Sequence, residues 1–271
     1  MRGLIDRDAL ILQVLKKLQS PFRKPGSKEV WDTGWEEILE RVRRNQFSPE
    51  LLKPQYFRGD EICRKDGEYT HAEQFYEMDH AIRKCDFANY LREVPKIVEI
   101  GCGTGINQLL LAEMFPEAEL VAADWAKASQ EIVAAISANL SRAIKPVNFN
   151  MFTLDGWENL GIDEKTAVLT VHALEQIGAD WGLLLTALRK ARPRICVHIE
   201  PLLELYDETK LFDWLAAEYH RTRDYLAGWL PAIQELQRQG KAEILACYRR
   251  QFGNLYHEAY SILVWKPIGE Q

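Results

Sequence analysis

Three alternating glycines, Gly101, Gly103 and Gly105, form the most informative residue spacing in this sequence. Glycine lets the backbone adopt a positive φ and lets a ligand come close to it. One acidic residue, Glu99, precedes the glycines, and a second, Asp124, follows about 20 positions later. A carboxylate at that spacing suits the two hydroxyls of a ribose, because its two oxygens can each accept a hydrogen bond. These residues therefore predict a nucleoside-binding site.

The elements around the glycines are those that such a site needs. Residues 96–100 form a short apolar run with β-branched side chains, which is typical of a buried strand. Leucines at 109–111 begin a helical pattern, and the helix start would present unpaired N–H groups to a ligand. A second strand, residues 118–123, ends at Asp124. The order strand, glycine turn, helix and strand predicts a nucleoside-binding βαβ unit.

The glycine spacing distinguishes between two classes of ligand. A dinucleotide site requires a further glycine at position 106, which is Ile106 here. The pattern Glu-x-Gly-x-Gly-x-Gly instead resembles motif I of the class I S-adenosylmethionine-dependent methyltransferases. This resemblance implies that the three glycines, Asp124 and Trp125 bind S-adenosylmethionine, and that Glu99 reaches the amino end of the cofactor through the glycine loop. The alternative is a glycine turn in an unrelated α/β protein.

Asp155 and Gly156 are further candidates for cofactor binding. They follow a third predicted strand, residues 147–152. In the methyltransferases that the sequence resembles, an acidic residue here accepts a hydrogen bond from the adenine amino group. Asp155 could otherwise cap a short helix that begins at Gly156.

His172 follows the fourth predicted strand, residues 166–171. The stretch from His172 to Gly178 resembles one that is common in small-molecule methyltransferases, with Gln176 in place of its second histidine. His172 could form a wall of the cofactor site, act as a general base, or be a satisfied polar residue of the turn. No arrangement of acidic side chains around it suggests a metal site.

Glu200 ends the fifth predicted strand, residues 195–199, and Pro201 follows it. Ligands of open α/β sheets lie outside the carboxyl ends of the strands. Glu200 is therefore a candidate catalytic residue for substrate recognition or proton removal. Its alternative role is structural, through an ion pair with Arg221 or Arg223.

The residues before the glycine unit predict a helical cap over 1–92, which could close over a substrate. Tyr76 lies where such a cap would meet the cofactor. The alternative is that the aromatic residues of this segment only pack against the core of the protein. The predicted helices are Asp8 to Leu18, Trp31 to Val42 and about His71 to Leu91.

The remainder, 93–271, is predicted to be a Rossmann-like domain with a helical insert at 202–240. Two last strands, 242–249 and 258–265, flank Gly253-Asn254 and predict a β-hairpin. The predicted fold class is α/β, with the seven-stranded sheet of class I methyltransferases and a terminal antiparallel hairpin.

Composition restricts the partners. The chain has 271 residues, 27% of them charged, and a net charge of −6, which argues against a nucleic-acid partner. Five scattered cysteines without a C-x-x-C pair indicate reduced thiols and no zinc site. The sequence lacks a membrane-spanning apolar run and a signal-peptide core, so a cytoplasmic location is expected.

The predicted function is S-adenosylmethionine-dependent methyl transfer to a small polar molecule, with O-methylation favoured. A looser resemblance to a bacterial nodulation-protein subgroup of methyltransferases implies a saccharide-type acceptor, and a carboxylated metabolite also fits. The resemblance rests on residues 198–201, 219–223 and 252–258. A non-catalytic cofactor-binding protein is one alternative. An NAD-dependent oxidoreductase is another, which Ile106 disfavours.

Overall fold

A computed structural model describes residues 5–20, 28–53, 62–71, 75–258 and 260–269. The helices are α1 (Arg7–Leu18), α2 (Lys28–Arg44), α3 (Phe75–Tyr90), α4 (Ile106–Met114), α5 (Lys127–Leu140), α6 (Trp157–Leu160), α7 (Gly182–Ala191), α8 (Leu211–Thr222) and α9 (Trp229–Arg238). The strands are β1 (Ile62–Lys65), β2 (Glu68–His71), β3 (Lys96–Ile100), β4 (Glu119–Asp124), β5 (Ile144–Asn148), β6 (Thr166–Val171), β7 (Ile195–Glu200), β8 (Ala242–Arg249), β9 (Phe252–Gly253) and β10 (Ser261–Pro267). Among these residues, no helix is both long enough and apolar enough to cross a membrane.

A seven-stranded sheet with the order β5-β4-β3-β6-β7-β10-β8 forms the centre of the protein. The strands β3 to β7 are parallel, and β10 runs antiparallel to both of its neighbours. Helices cover both faces, as a parallel sheet requires. Ile97 of β3 packs with residues of α4 and α5, whereas the next residue, Val98, packs on the other face with residues of α7 and α9. The predicted α/β class and seven-stranded sheet are confirmed.

The last two strands form the predicted antiparallel pair, but their connection differs from the prediction. Gly253 and Asn254 do not form a tight hairpin turn, since Phe252–Gly253 pair with β1 in a second sheet of order β2-β1-β9. The Asn254 side chain accepts hydrogen bonds from the backbone N–H groups of Tyr256 and His257, which bends the chain locally. The final strand consequently begins at Ser261 rather than at residue 258.

The N-terminal segment contains a β-hairpin that the sequence analysis did not predict. Its turn is Asp66-Gly67, where both residues have positive φ, as a type I′ hairpin turn requires. The helix predicted from His71 therefore begins too early, because His71 ends β2 and α3 begins at Phe75. Residues 72–74 of that prediction lie outside the described residues.

The third predicted strand is also displaced along the chain. It was predicted over residues 147–152, and β5 instead spans Ile144–Asn148 with Pro146 inside it. An edge strand tolerates proline because one side of its backbone makes no ladder hydrogen bonds. Residues 149–152 are therefore free to leave the sheet edge.

The N-terminal segment packs directly onto the main sheet. Leu39 and Phe87 share one apolar cluster with Ile97 and Leu111. Helix α2 lies against α5, and α1 lies against α8. The expected boundary between cap and domain near residue 92 thus runs through a continuous hydrophobic core. The role of residues 1–92 as a substrate-binding cap stays a prediction.

Candidate functional site

A cavity lies at the carboxyl ends of the parallel strands. Gly101 follows β3, Asp124 ends β4, Phe149 follows β5 and His172 follows β6. The described lining residues are Trp31, Trp35, Gly101, Asp124, Trp125, Phe149, Met151, Phe152, His172, Ala173, Gln176 and Ile177. The site thus lies where an open α/β sheet binds its ligands.

The glycine loop makes the floor of this cavity. Gly101, Gly103 and Gly105 all have positive φ, between 53° and 75°. A Cβ on Gly101 would lie only 2.4 Å from the Cβ of Ala173, so a side chain there would collide with the turn after β6. Gly103 packs against Trp35, and Gly105 is the N-cap residue of α4. Of the three glycines, Gly101 is the one that lines the described cavity.

Asp124 joins the glycine loop to the end of β4. Its Oδ2 accepts a hydrogen bond from the backbone N–H of Gly103 at 2.9 Å, and its Oδ1 accepts one from Ala126 at 2.9 Å. Burial raises the pKa of Asp124 to about 6, against the lowering effect of these N–H donors. An ionised carboxylate offers about four acceptor positions, so both oxygens can also accept from a bound hydroxyl.

Glu99 lies behind the loop and is not among the described residues that line the cavity. It is fully buried, and its two oxygens accept hydrogen bonds from the Asn107 and Gln108 side chains, each at 2.6 Å. Burial raises the pKa of Glu99 to about 7. Arg83 donates to Asn107 and is held by Asp79, which connects α3 to this network. Glu99 thus orients the first turn of α4, and its contact with a cofactor stays a prediction.

Aromatic side chains form the walls of the cavity. Trp31 and Trp35 of α2 stack with ring centroids 5.2 Å apart, and Trp125 lies 5.8 Å from Phe152. Such walls suit a flat heteroaromatic ring. Trp125 lines the cavity. The sequence analysis expected an N-terminal cap over the site but named no residue of α2 as part of the site.

Asp155 and Gly156 lie outside the described lining. Asp155 is exposed, and its carboxylate accepts a hydrogen bond from the Thr153 hydroxyl at 2.8 Å. It does not cap α6, whose N-cap residue is Gly156 and which lacks a side-chain cap. A Cβ on Gly156 would lie 2.1 Å from the Asn148 carbonyl oxygen, so this glycine is required by packing. The adenine role of Asp155 stays a prediction.

His172 lies in the wall of the cavity, with its backbone in the left-handed region at φ 54°. Its ring meets Tyr260 edge to face at 4.9 Å between centroids. Burial and the nearby Arg83 lower the pKa of His172 to about 3, so its imidazole is neutral. Its Nε2 is buried and has no hydrogen-bond partner in the described part of the chain. A non-glycine residue held in this conformation is a feature of functional sites.

Glu200 ends β7, as expected, but its side chain makes contacts that the sequence analysis did not expect. It is fully buried, and it is not among the described residues that line the cavity. Its carboxylate accepts hydrogen bonds from the backbone N–H groups of Ala173, Leu174 and Glu175 at 3.0–3.2 Å. Burial raises the pKa of Glu200 to about 7. Glu200 thus holds the turn that carries Ala173 and Gln176 into the cavity.

The expected ion-pair partners of Glu200 are engaged elsewhere. Arg221 pairs with Glu208 and Glu218, and Arg223 donates to the Tyr225 hydroxyl at 2.9 Å. The expected ion pair of Glu200 with Arg221 or Arg223 was therefore wrong. Backbone N–H groups bind the Glu200 carboxylate instead of the arginines.

Tyr76 lies on the first turn of α3 and outside the described lining. Its ring packs on His80 at 4.3 Å, and the Lys53 ammonium lies 4.2 Å from its centroid. Burial raises the pKa of Tyr76 to about 12. Its expected contact with a cofactor stays a prediction.

Comparison with known proteins identifies the fold. No family model matches the sequence, and no curated protein matches it either. The chain is similar to the pyocyanin biosynthetic protein PhzM, with 13% identity, a TM-score of 0.50, and coverage of 70% of this chain and 55% of that chain. It is also similar to the 16S rRNA methylase ArmA, with 16% identity, a TM-score of 0.50, and coverage of 86% and 98%. The chain has the Rossmann-like methyltransferase fold. It spans little more than half of the length of PhzM.

Within this methyltransferase fold, several cavity residues were missed from sequence. Trp31 and Trp35 are four positions apart on α2, which reads as an ordinary apolar helix face. Phe149, Met151 and Phe152 were predicted to lie in a strand, whereas β5 ends at Asn148.

Proposed function

We propose that this chain is an S-adenosylmethionine-dependent methyltransferase that acts on a small polar molecule, with O-methylation favoured. The supporting observation is the cavity, in which Gly101, Asp124 and aromatic walls meet at the carboxyl edge of a methyltransferase-type sheet. S-adenosylmethionine supplies an electrophilic methyl group on a sulfonium sulfur.

The residues of the cavity fit this cofactor. Gly101 lines the cavity, and its backbone has no side chain that would keep an amino-acid tail at a distance. Asp124 keeps acceptor capacity for two ribose hydroxyls, since each of its oxygens accepts one backbone N–H. Trp125 and Phe152 would flank the adenine. Trp31 and Trp35 of α2 also line the cavity.

His172 and Gln176 would face the methyl acceptor. Both line the cavity on the turn after β6, the side away from Trp125 and Phe152. The neutral imidazole of His172 can accept a hydrogen bond from a hydroxyl and orient it, whereas a pKa of about 3 makes it a weak base for removing the proton of an alcohol. Glu200 would act as a positioning residue for this turn rather than as the base.

A small-molecule acceptor fits the charge of the site. The described lining contains neither lysine nor arginine, and the chain carries a net charge of −6. Nucleic-acid binding relies on basic surfaces that contact phosphates. ArmA is named for its action on 16S rRNA, and this chain lacks the charge that such a substrate favours.

The proposal of a saccharide-type acceptor rests on the nodulation-protein resemblance. Two of its three stretches, residues 219–223 and 252–258, meet in the folded chain, where His220 Nε2 lies 3.0 Å from His257 Nδ1 and Tyr219 stacks on Tyr256 at 5.2 Å. These contacts give the residues of the two stretches a common structural role.

Isothermal titration calorimetry tests the proposed function against its alternatives. We expect binding of S-adenosylmethionine and S-adenosylhomocysteine, and no binding of NAD. Trp35→Ala should weaken both affinities by about tenfold through the loss of an aromatic wall. Trp214→Ala is the matched control, since Trp214 is an exposed tryptophan. Binding of NAD alone, or equal affinities in the two variants, would contradict the proposal. A second assay measures the transfer of labelled methyl groups from S-adenosylmethionine to metabolite fractions. Transfer indicates an enzyme, and its absence indicates a non-catalytic binding protein.

A further inference from the structure

Two tryptophans of α2 form an aromatic surface on one wall of the cavity. The rings of Trp31 and Trp35 stack with their centroids 5.2 Å apart, and both side chains are half-buried. Trp35 packs against the hydrophobic core and against the glycine loop, where its ring lies 3.0 Å from the position of a Cβ on Gly103. Trp31 lines the cavity but is not among the described residues that pack against a hydrophobic cluster. Its ring therefore has area left for a ligand.

The adenine of the cofactor has other aromatic residues in the proposed function. Trp125 follows β4 and Phe152 follows β5, and their ring centroids lie 5.8 Å apart. Flat rings stack on aromatic side chains at such distances. With these two residues at the adenine, the ring of Trp31 is left for a second flat group. In a methyltransferase, the second ligand is the methyl acceptor.

The polar side chains of the described lining are Asp124, His172 and Gln176. Asp124 is assigned to the ribose in the proposed function, so His172 and Gln176 remain for the acceptor. A monosaccharide brings several hydroxyls, and each one that is buried without a partner disfavours binding. Two polar side chains beside aromatic and aliphatic walls instead suit a mostly apolar ligand with one polar group.

The aromatic surface and the polar residues adjoin the same short loop. A Cβ on Gly101 would meet Ala173 in the turn after β6, whereas a Cβ on Gly103 would meet Trp35. These two glycines are only two positions apart. A single ring system can therefore stack on Trp31 while its polar group reaches the turn after β6.

We propose that the methyl acceptor is a flat aromatic or heteroaromatic molecule with one polar group, which stacks on Trp31 and presents that group to His172 and Gln176. This inference rests on the proposed function and narrows it, because a saccharide-type acceptor then no longer fits. The selection follows from the lining: stacking favours a flat ring, and the two remaining polar side chains serve one polar group.

The test compares 2-naphthol with 2-decalol, which has the same carbon skeleton and one hydroxyl but no aromatic ring. Affinities are measured by ligand-observed NMR on the full chain saturated with S-adenosylhomocysteine, so that the adenine position is occupied. We expect 2-naphthol to bind at least about tenfold more tightly than 2-decalol. Burial of apolar surface alone would not give this preference, because the saturated probe has at least as much apolar surface. Methyl β-glucoside, the saccharide probe, should bind more weakly than 2-naphthol.

Variants of Trp31 assign the preference to this ring. Trp31→Leu keeps an apolar side chain and should reduce the ratio of the 2-naphthol and 2-decalol affinities by about fivefold or more, whereas Trp31→Phe should keep most of it. Trp214→Leu is the matched control, since Trp214 is an exposed tryptophan on α8. It should leave the ratio unchanged. All three variants should bind S-adenosylhomocysteine within about twofold of the wild type.

The outcomes distinguish failure of the inference from failure of the proposed function. Absence of S-adenosylhomocysteine binding to the wild type would overturn the proposed function, and the acceptor role of the cavity with it. Normal S-adenosylhomocysteine binding with equal affinities of the two alcohols, with tighter binding of the glucoside, or with an unchanged ratio in Trp31→Leu would overturn the inference alone. Loss of S-adenosylhomocysteine affinity in Trp31→Leu would place this ring at the cofactor and would also overturn the inference.

Discussion

The backbone N–H of Gly103 donates a hydrogen bond to Asp124 Oδ2 over 2.9 Å. This bond joins the glycine loop after β3 to the end of β4, two segments that meet only in the folded sheet. Because Asp124 Oδ1 holds Ala126 at the same time, one carboxylate sets both the loop and the start of the next helix. The residue proposed to bind the ribose therefore also builds the site.

Asp124→Ala should weaken the binding of S-adenosylhomocysteine by about 1.5–3 kcal/mol, through loss of charge-assisted hydrogen bonds. The melting temperature should also fall, because Gly103 and Ala126 lose their acceptor. Calorimetry and thermal unfolding measure the two effects, with Asp180→Ala as the control at an exposed aspartate. A lower melting temperature with unchanged affinity would limit Asp124 to its role in the loop.

Gly101→Ala should destabilise the protein. The added Cβ would meet the Ala173 Cβ at 2.4 Å, in a backbone with φ 75°. Gly240→Ala is the matched control, since Gly240 has φ 70° and open space around the added carbon. We expect a cost of about 1 kcal/mol from the positive φ in both variants, and a further cost of about 1–3 kcal/mol from the collision in Gly101→Ala alone. Equal stability of the two variants in urea would contradict this packing argument.

The central strands could be predicted because a strand that is buried on both faces has apolar residues at successive positions. Residues 97–100 and 166–171 read as continuous runs in the sequence, and β3 and β6 are almost entirely buried. The hairpin β1–β2 had an equally direct signal, Asp66-Gly67, which was overlooked because its strands are only four residues long.

The walls of the cavity could not be predicted in the same way. Trp35 reaches the glycine loop because α2 docks on α5, a tertiary contact without a local signal. The position of Glu200 at a strand end was predicted, but strand alternation does not say what a carboxylate binds. Its three amide partners depend on how the turn after β6 folds back.

Glu99→Gln should flatten the dependence of stability on pH. The folded pKa of Glu99, about 7, lies above its ordinary value of 4.5, so the folded state holds this proton more tightly than the unfolded chain. The free energy of unfolding of the wild type therefore falls as pH rises from about 4.5 to about 7, by up to about 3 kcal/mol from this group. The variant lacks this contribution.

Urea unfolding at pH 5 and pH 8 measures the effect of Glu99. Gln108 can turn its side-chain amide, since its own oxygen has no partner in the described chain, and so can accept from the new glutamine. Other buried acids are common to both proteins, so the difference between wild type and variant isolates Glu99. Parallel pH curves for the two proteins would contradict the prediction, and Glu158→Gln should retain the wild-type slope.

Glu200→Gln should loosen the turn that carries Ala173, Glu175 and Gln176. A glutamine has one acceptor oxygen and one amino group, so it leaves at least one of the three buried N–H groups without a partner, which costs about 1–3 kcal/mol. We expect a melting temperature lower by about 3–10 °C and faster hydrogen exchange at the amides of residues 173–175. Glu158→Gln should change neither quantity. If exchange at these amides and the melting temperature stay at the wild-type values, Glu200 is not the positioning residue of this turn, and a catalytic role becomes the better explanation of its buried carboxylate.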